Sequence, residues 1–181
     1  MKVILISGKA GSGKDQSGKF LTYLLEKYAF SVQQMSFAKR VKEISKEVFG
    51  WDGVKDDKGR ALLQAVGHAG RAYDIDFWVK DIVKHMPKVD FIIISDWRFP
   101  SEKNYLRSLA FEVTTIRIFS PVRATLLDSK LGEDSSETSL TEERDEYDYY
   151  IENLGTLDEL EASLEKVCLD IIEGDTENEY R

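Results

Sequence analysis

Residues 2–28 constrain this chain more than any other stretch. Val3 to Ile6 is a short apolar run rich in β-branched residues, the pattern of a strand buried on both faces. Gly8, Gly11 and Gly13 follow, then Lys14, after which Phe20, Leu21, Leu24, Leu25 and Tyr28 recur at helical spacing. Strand, glycine loop, lysine and helix together are the context a phosphate-binding loop requires. Glycines let the backbone curl without Cβ clashes, so successive N–H groups face one concavity. The helix start adds partial positive charge, and an ammonium at Lys14 reaches the outer phosphates. Gly8, Lys9, Ala10, Gly11, Ser12, Gly13, Lys14, Asp15 and Gln16 are therefore the candidate phosphate contacts. Gly8-x4-Gly13-Lys14 fits the Walker pattern, with Asp15 where Ser or Thr is usual. A glycine-rich turn without a ligand is the alternative, and the flanking strand and helix argue against it.

Charge narrows the class of ligand. The 181 residues carry a formal net charge of -8, but residues 133–181 hold 18 acidic against 3 basic side chains. The remainder is net positive, able to present a basic cleft to a small anion, while an acidic whole argues against a broad nucleic-acid surface. No apolar run approaches the ~20 residues of a membrane span, and the N-terminus lacks a signal-peptide layout. Cys168, the single cysteine, lies on an apolar helical stripe and reads as core. A cytoplasmic setting and a single domain over 1–181 are the expectations.

Further along, Ser31–Phe37 reads as a second strand, and 38–50 as a helix with Val41, Ile44, Val48 and Phe49 on one face and Gly50 as its stop. Lys39, Arg40 and Lys42 follow a strand end, where phosphate contact and a solvated basic face both remain open. Helices are expected over 59–71 and 74–86. Asp56-Asp-Lys-Gly59 matches D-x-x-G, but no buried strand precedes it and no N-K-x-D exists, which argues against a GTPase switch. Phe91-Ile-Ile-Ile-Ser-Asp96 is a second buried strand ending on an acid, the arrangement that anchors Mg²⁺ beside phosphates. Arg98 should emerge from the same strand end, toward the anion or toward Asp96.

Pro100 opens a helix to Leu109, and Phe111–Phe119 forms a fourth strand. Pro121 sits at a helix start. Residues 132–144 are polar without apolar periodicity, so a lid region is expected over about 121–145, mobile without ligand. Tyr149–Glu152 is a last short strand. Thr156-x-x-Glu159 is a capping box for a final helix, followed by a frayed acidic tail over 174–181. This order predicts a three-layer α/β/α domain around a parallel five-stranded sheet, with ligands at the carboxyl ends of the strands.

Several stretches together resemble the phage-type deoxynucleoside monophosphate kinases, within the P-loop nucleoside monophosphate kinase superfamily. They are Ser7–Asp15, Phe37-Ala-Lys-Arg-Val-Lys42 with Phe49-Gly50, Leu62-Leu-Gln-x-x-Gly67-x-x-x-Arg71 and Asp76-Phe-Trp-Val79. Ser95-Asp-Trp-Arg98 with Glu102 and Ile151-x-Asn-x-Gly155-Thr-Leu-x-Glu-Leu160 complete the set. Asp after the loop lysine is usual in that family. Two departures stand: Gln16 replaces a frequent Thr, and Asp134-Ser-Ser-Glu137 has Asp134 where the family's lid string carries His.

The resemblance implies transfer of the ATP γ-phosphoryl group to a deoxynucleoside 5′-monophosphate, giving ADP and the diphosphate. Phosphoryl transfer asks chiefly for positioning and for cations around the transferring oxygens. On that reading Lys14 and the loop amides hold the donor, and Asp15 and Asp96 hold Mg²⁺. Arg71 and Arg98 clamp the acceptor phosphate, Arg123 closes on the transition state, and Lys39 and Lys42 contact substrate. Phe37, Trp78 and Trp97 either stack on the acceptor base or pack in the core. The family includes dimers, so a homodimer is carried over with the small-molecule substrates. Dephospho-coenzyme A or phosphomevalonate as acceptor is a competing reading, and a nucleotide-binding module without catalysis is another.

Overall fold

Strand β1 (Lys2–Ser7) is wholly buried from Val3 onward, as a run apolar on both faces must be. The computed structural model describes residues 1–121, 139–140 and 143–179. In chain order β1 is followed by α1 (Lys14–Lys27), β2 (Val32–Met35), α2 (Phe37–Phe49), α3 (Asp57–Tyr73) and α4 (Phe77–Lys84). Then come β3 (Phe91–Ile94), α5 (Pro100–Ser108), β4 (Glu112–Phe119), a short 3₁₀ turn at Arg144–Glu146, β5 (Tyr149–Glu152) and α6 (Leu157–Glu179). The expected Pro121 helix, most of the lid string, Asp134 and Arg123 lie outside the described residues.

The five strands form one sheet in the order β2-β3-β1-β4-β5, and every pairing is parallel. The expected parallel five-stranded sheet is therefore present. Alternation along the strands sorts the core into two layers. Ile4, Ile6, Phe91, Ile93, Ile116 and Ile118 face α1 and α6, meeting Leu21, Leu25, Leu160, Leu164 and Cys168. Val3, Leu5, Ile92 and Ile94 face the other way, against Val41, Trp78, Val79, Ile82 and Leu106 from α2, α4 and α5. Each such fully buried aliphatic side chain contributes roughly 1.5–3 kcal/mol. Right-handed crossovers explain the split: the chain leaves β1 toward β2 and returns past it toward β4, so the intervening helices fall on opposite faces.

Local punctuation follows the sequence closely. Gly50 ends α2 in the left-handed region (φ 64), and Thr156 with Glu159 forms the capping box of α6. Asp56 caps α3 by accepting from Gly59 N at 2.7 Å, which starts that helix before Gly59. Three expectations are corrected. Val48 and Phe49, in the last turn of α2, are exposed rather than on its buried face. The helix over 74–86 is shorter, because Asp74 accepts from Asp76 N and Lys80 in a turn preceding Phe77. Helix α6 continues past Gly174 to Glu179 where a frayed tail was expected.

Candidate active site

The parallel register sets Leu5 beside Ile94, so β1 and β3 release their next residues side by side at one end of the sheet. Here the chain direction across the sheet reverses, which opens a crevice above the strand ends. The glycine loop fills one wall. Gly11 (φ 77) and Gly13 (φ 101) take left-handed conformations, and Ser12 N donates to Lys9 O at 3.1 Å to close the curl. A side chain at Gly8 would collide with Ser12 Oγ and lie 2.6 Å from Ile118 O, so this turn has room for glycine alone. Asn153, at the exit of β5, donates from Nδ2 to Ser12 O at 2.8 Å and pins the loop from the far side. Lys14 Nζ lies 3.4 Å from Lys9 O, over the loop whose amides it would complement. Ser12 Oγ is buried and has no hydrogen-bond partner among the described residues.

Asp15 is exposed at the first turn of α1, and Ser95 Oγ donates to its Oδ1 at 3.2 Å. Asp96, expected to anchor metal, is engaged by the start of α2. Its Oδ2 accepts from Ser36 Oγ at 2.7 Å and Ala38 N at 2.8 Å, and its Oδ1 accepts from Phe37 N at 3.0 Å. The carboxylate therefore satisfies the orphan donors at the start of α2, a cap supplied from another strand. Hard cations such as Mg²⁺ are held by one or two carboxylates together with phosphate oxygens and water. Asp15 with the Ser95 hydroxyl is a donor set of that kind, and no cluster of three or more acidic, His or Cys ligands exists among the described residues.

The aromatic residues left open between base stacking and core packing are buried. Trp78 (5% exposed) packs on Gly70 and donates from Nε1 to Gly67 O at 3.0 Å. Trp97 (2% exposed) lies beside Tyr147 and donates to Phe99 O at 2.8 Å. Phe37 is buried in the same layer. Each indole N–H finds a carbonyl because a buried donor must, and that fixes the rings in the core.

The Arg71 side chain meets Phe99, the residue after Arg98, past the exit of β3. The Arg71 guanidinium, at the end of α3, lies 4.2 Å over the Phe99 ring centroid. Glu102, buried in the first turn of α5, accepts from Arg98 N at 3.2 Å and Phe99 N at 3.1 Å. Burial pushes its carboxyl up to about 8, those two N–H bonds pull it down, the Asp96 carboxylate raises it and the Arg71 guanidinium lowers it. Glu102 thus senses Asp96 and Arg71 together, which sets all of them around one corner.

Lys42 and Lys46 line an open groove of about 450 Å³ with Gln34, Ser36 and Ser95, so it runs into the crevice beside Asp15. Lys39 borders the same groove, 4.0 Å from Glu43 and largely exposed. Sequence reasoning missed the parts played by Ser95, Phe99 and Asn153. Ser95 and Phe99 flank the acid and arginine that drew attention, and Asn153 sits in a string noted only for its likeness to the kinases.

No protein-family model matches the chain. It is 27% identical over 147 residues to the uncharacterised protein ORF77 of Ictalurid herpesvirus 1 (strain Auburn), a match covering 78% of this chain and 60% of that protein. ORF76 of the same virus is 26% identical over 178 residues, covering 93% of this chain and 68% of that one. Among solved structures the chain is similar to a gluconokinase from Sinorhizobium meliloti 1021 (TM-score 0.54, 16% identity, 98% and 97% of the two chains covered). It is also similar to a putative kinase from Chloroflexus aurantiacus J-10-fl (0.53, 13%, 96% of each). Shikimate kinase from Aquifex aeolicus compares at 0.50, with 17% identity over 96% and 98% of the chains. The chain shares its fold with these kinases. No described helix is long and apolar enough to cross a membrane.

Proposed function

We propose that this chain is an ATP-dependent kinase that transfers the γ-phosphoryl group to a deoxynucleoside 5′-monophosphate, releasing ADP and the corresponding diphosphate. The observation that carries the reading is the Arg71 guanidinium seated on Phe99, the residue after Arg98, at the exit of β3 and so beside the strand that opens into the glycine loop. A donor cradle and a pair of guanidinium groups on adjacent strand ends suit two anions brought together.

On this reading the amides of Gly8–Lys14 and the Lys14 ammonium hold the β- and γ-phosphates. Mg²⁺, when bound with ATP, would be held by Asp15 with the Ser95 hydroxyl in reach and would neutralise charge on the bridging oxygens. Arg71 and Arg98 take the acceptor phosphate through their planar forks. Asp96 orients the start of α2, and with it Lys42, toward the same crevice. Arg123, outside the described residues, is assigned to the transferring group by resemblance alone. A cytoplasmic setting and a homodimer complete the proposal.

One observation favours a second reading. The Lys39–Lys42–Lys46 groove fits an acceptor with further anionic groups, of which dephospho-coenzyme A is an example. A panel of acceptors with ATP and Mg²⁺, read by ADP release, separates the readings. Turnover with dTMP or dGMP supports the first, and response only to dephospho-coenzyme A or phosphomevalonate replaces it. ATP binding without turnover on any acceptor makes the chain a nucleotide-binding module.

A further inference from the structure

The N-terminus of α5 is capped in an unusual way. Its N-cap residue is Phe99, whose side chain accepts nothing, and the next residue, Pro100, has no N–H to satisfy. The N–H groups of Arg98 and Phe99 both end on a single oxygen, Glu102 Oε2. Glu102 is 5% exposed, so this oxygen serves the backbone rather than solvent. The residue it fixes, Phe99, is in turn the shelf beneath Arg71, which reaches over from α3.

A freely rotating arginine loses side-chain entropy when it is immobilised on a ligand. Holding the side chain beforehand removes part of that loss from binding. We infer that Phe99 and Glu102 are positioning residues that hold Arg71 and Arg98 as one preformed phosphate clamp. Glu102 fixes the backbone that carries Arg98 and Phe99, and the Phe99 ring fixes the Arg71 guanidinium. Neither is assigned to touch ligand. The inference deepens the proposed function and rests on it for naming the ligand as the acceptor phosphate.

The test uses the full chain and the variants Phe99→Leu, Glu102→Ala and Glu102→Gln. The Nε–H resonance of Arg71, assigned by its loss in Arg71→Ala, reports the clamp without catalysis, because the Phe99 ring shifts it upfield. Phe99→Leu should collapse that shift and raise the acceptor KM about tenfold, the scale of one lost cation–π contact, with the ATP KM within about twofold. Glu102→Ala should do the same. Glu102→Gln keeps an oxygen for both N–H groups and should restore shift and KM.

Retention of the shift in Glu102→Ala overturns the role of Glu102. Equal rises in both KM values reduce the pair to a structural support and overturn the inference. If Glu102→Ala does not fold, Phe99→Leu decides by the same criteria. If the wild type phosphorylates no monophosphate, the proposed activity falls, and titration with inorganic phosphate decides the clamp alone. Movement of the Arg71 signal at about tenfold lower phosphate in the wild type than in Phe99→Leu upholds it; equal titration overturns it.

Discussion

At the exit of β1 the proposed anion site is drawn in backbone. Gly11 and Gly13 at positive φ aim successive N–H groups inward, and Lys14 is the side chain set over them. At the exit of neighbouring β3 the converse holds, with Arg71 brought from α3, Arg98 from the strand end, and Phe99 and Glu102 tying them together. A backbone site is specified by one contiguous string and is disturbed by changes within that string. A side-chain site depends on how α3 and α5 are held, so residues that touch no ligand can break it. The two corners should therefore fail differently.

The largest expected effect belongs to the first corner. Lys14→Ala should lower kcat by about 10³ or more, by analogy with other single cations aimed at transferring phosphoryl oxygens. Its melting temperature should stay at the wild-type value, because Ser12 N on Lys9 O and Asn153 on Ser12 O hold the loop without the ammonium. A kcat within tenfold of wild type would remove the donor assignment and with it the contrast.

The same contrast explains what could be read from the chain. Gly8 to Lys14, the order of strands and helices, the Gly50 stop and the Thr156–Glu159 box are all local, and each appears in the structure where the string places it. The capping task of Asp96 was missed because an acid at a strand end looks the same whether it faces a metal, caps a distant helix or does both. Its partners lie about 60 residues away, at Ser36 to Ala38. Trp78 gave no sign of the carbonyl that fixes it inward, since Gly67 reaches it only through the packing of α3 on α4. Glu102 belonged to a string that resembled kinases, yet its buried, doubly hydrogen-bonded oxygen is a property of the folded corner alone.

Asp96 gives a middle-sized test of which corner it serves. As a cap, Asp96→Ala leaves donors at Phe37, Ala38 and Ser36 without their acceptor, which should cost about 2 kcal/mol and several degrees of melting temperature. Asp96→Asn, keeping one acceptor oxygen, should recover part of that loss. A normal melting temperature with a collapsed kcat in both variants would return Asp96 to the metal and make the donor corner partly a side-chain site.

The effect spread most thinly, a few degrees per pH unit, sharpens the acceptor corner through pH. Burial raises the Glu102 carboxyl from its ordinary 4.5 to about 8, so across that window the folded chain holds a proton that the unfolded chain has released. Stability from this group is then greatest below about 4.5 and is lost as pH rises toward 8. The slope is at most ~1.4 kcal/mol per pH unit, or roughly 2–4 °C for a chain of this size. Asp74 and Asp90 act in the opposite sense at lower pH: hydrogen bonds from Lys80 and Ser31 hold their carboxyls below the usual range, and the stability they add is lost only as pH falls. Glu102→Gln keeps the acceptor oxygen and removes the titration. Its melting temperature relative to wild type should therefore climb steadily from pH 5 to 8.5, measured by thermal unfolding at each pH. A difference that stays constant over that range would mean the carboxyl is not the dry, backbone-bound group on which Arg98 and the Phe99 shelf depend.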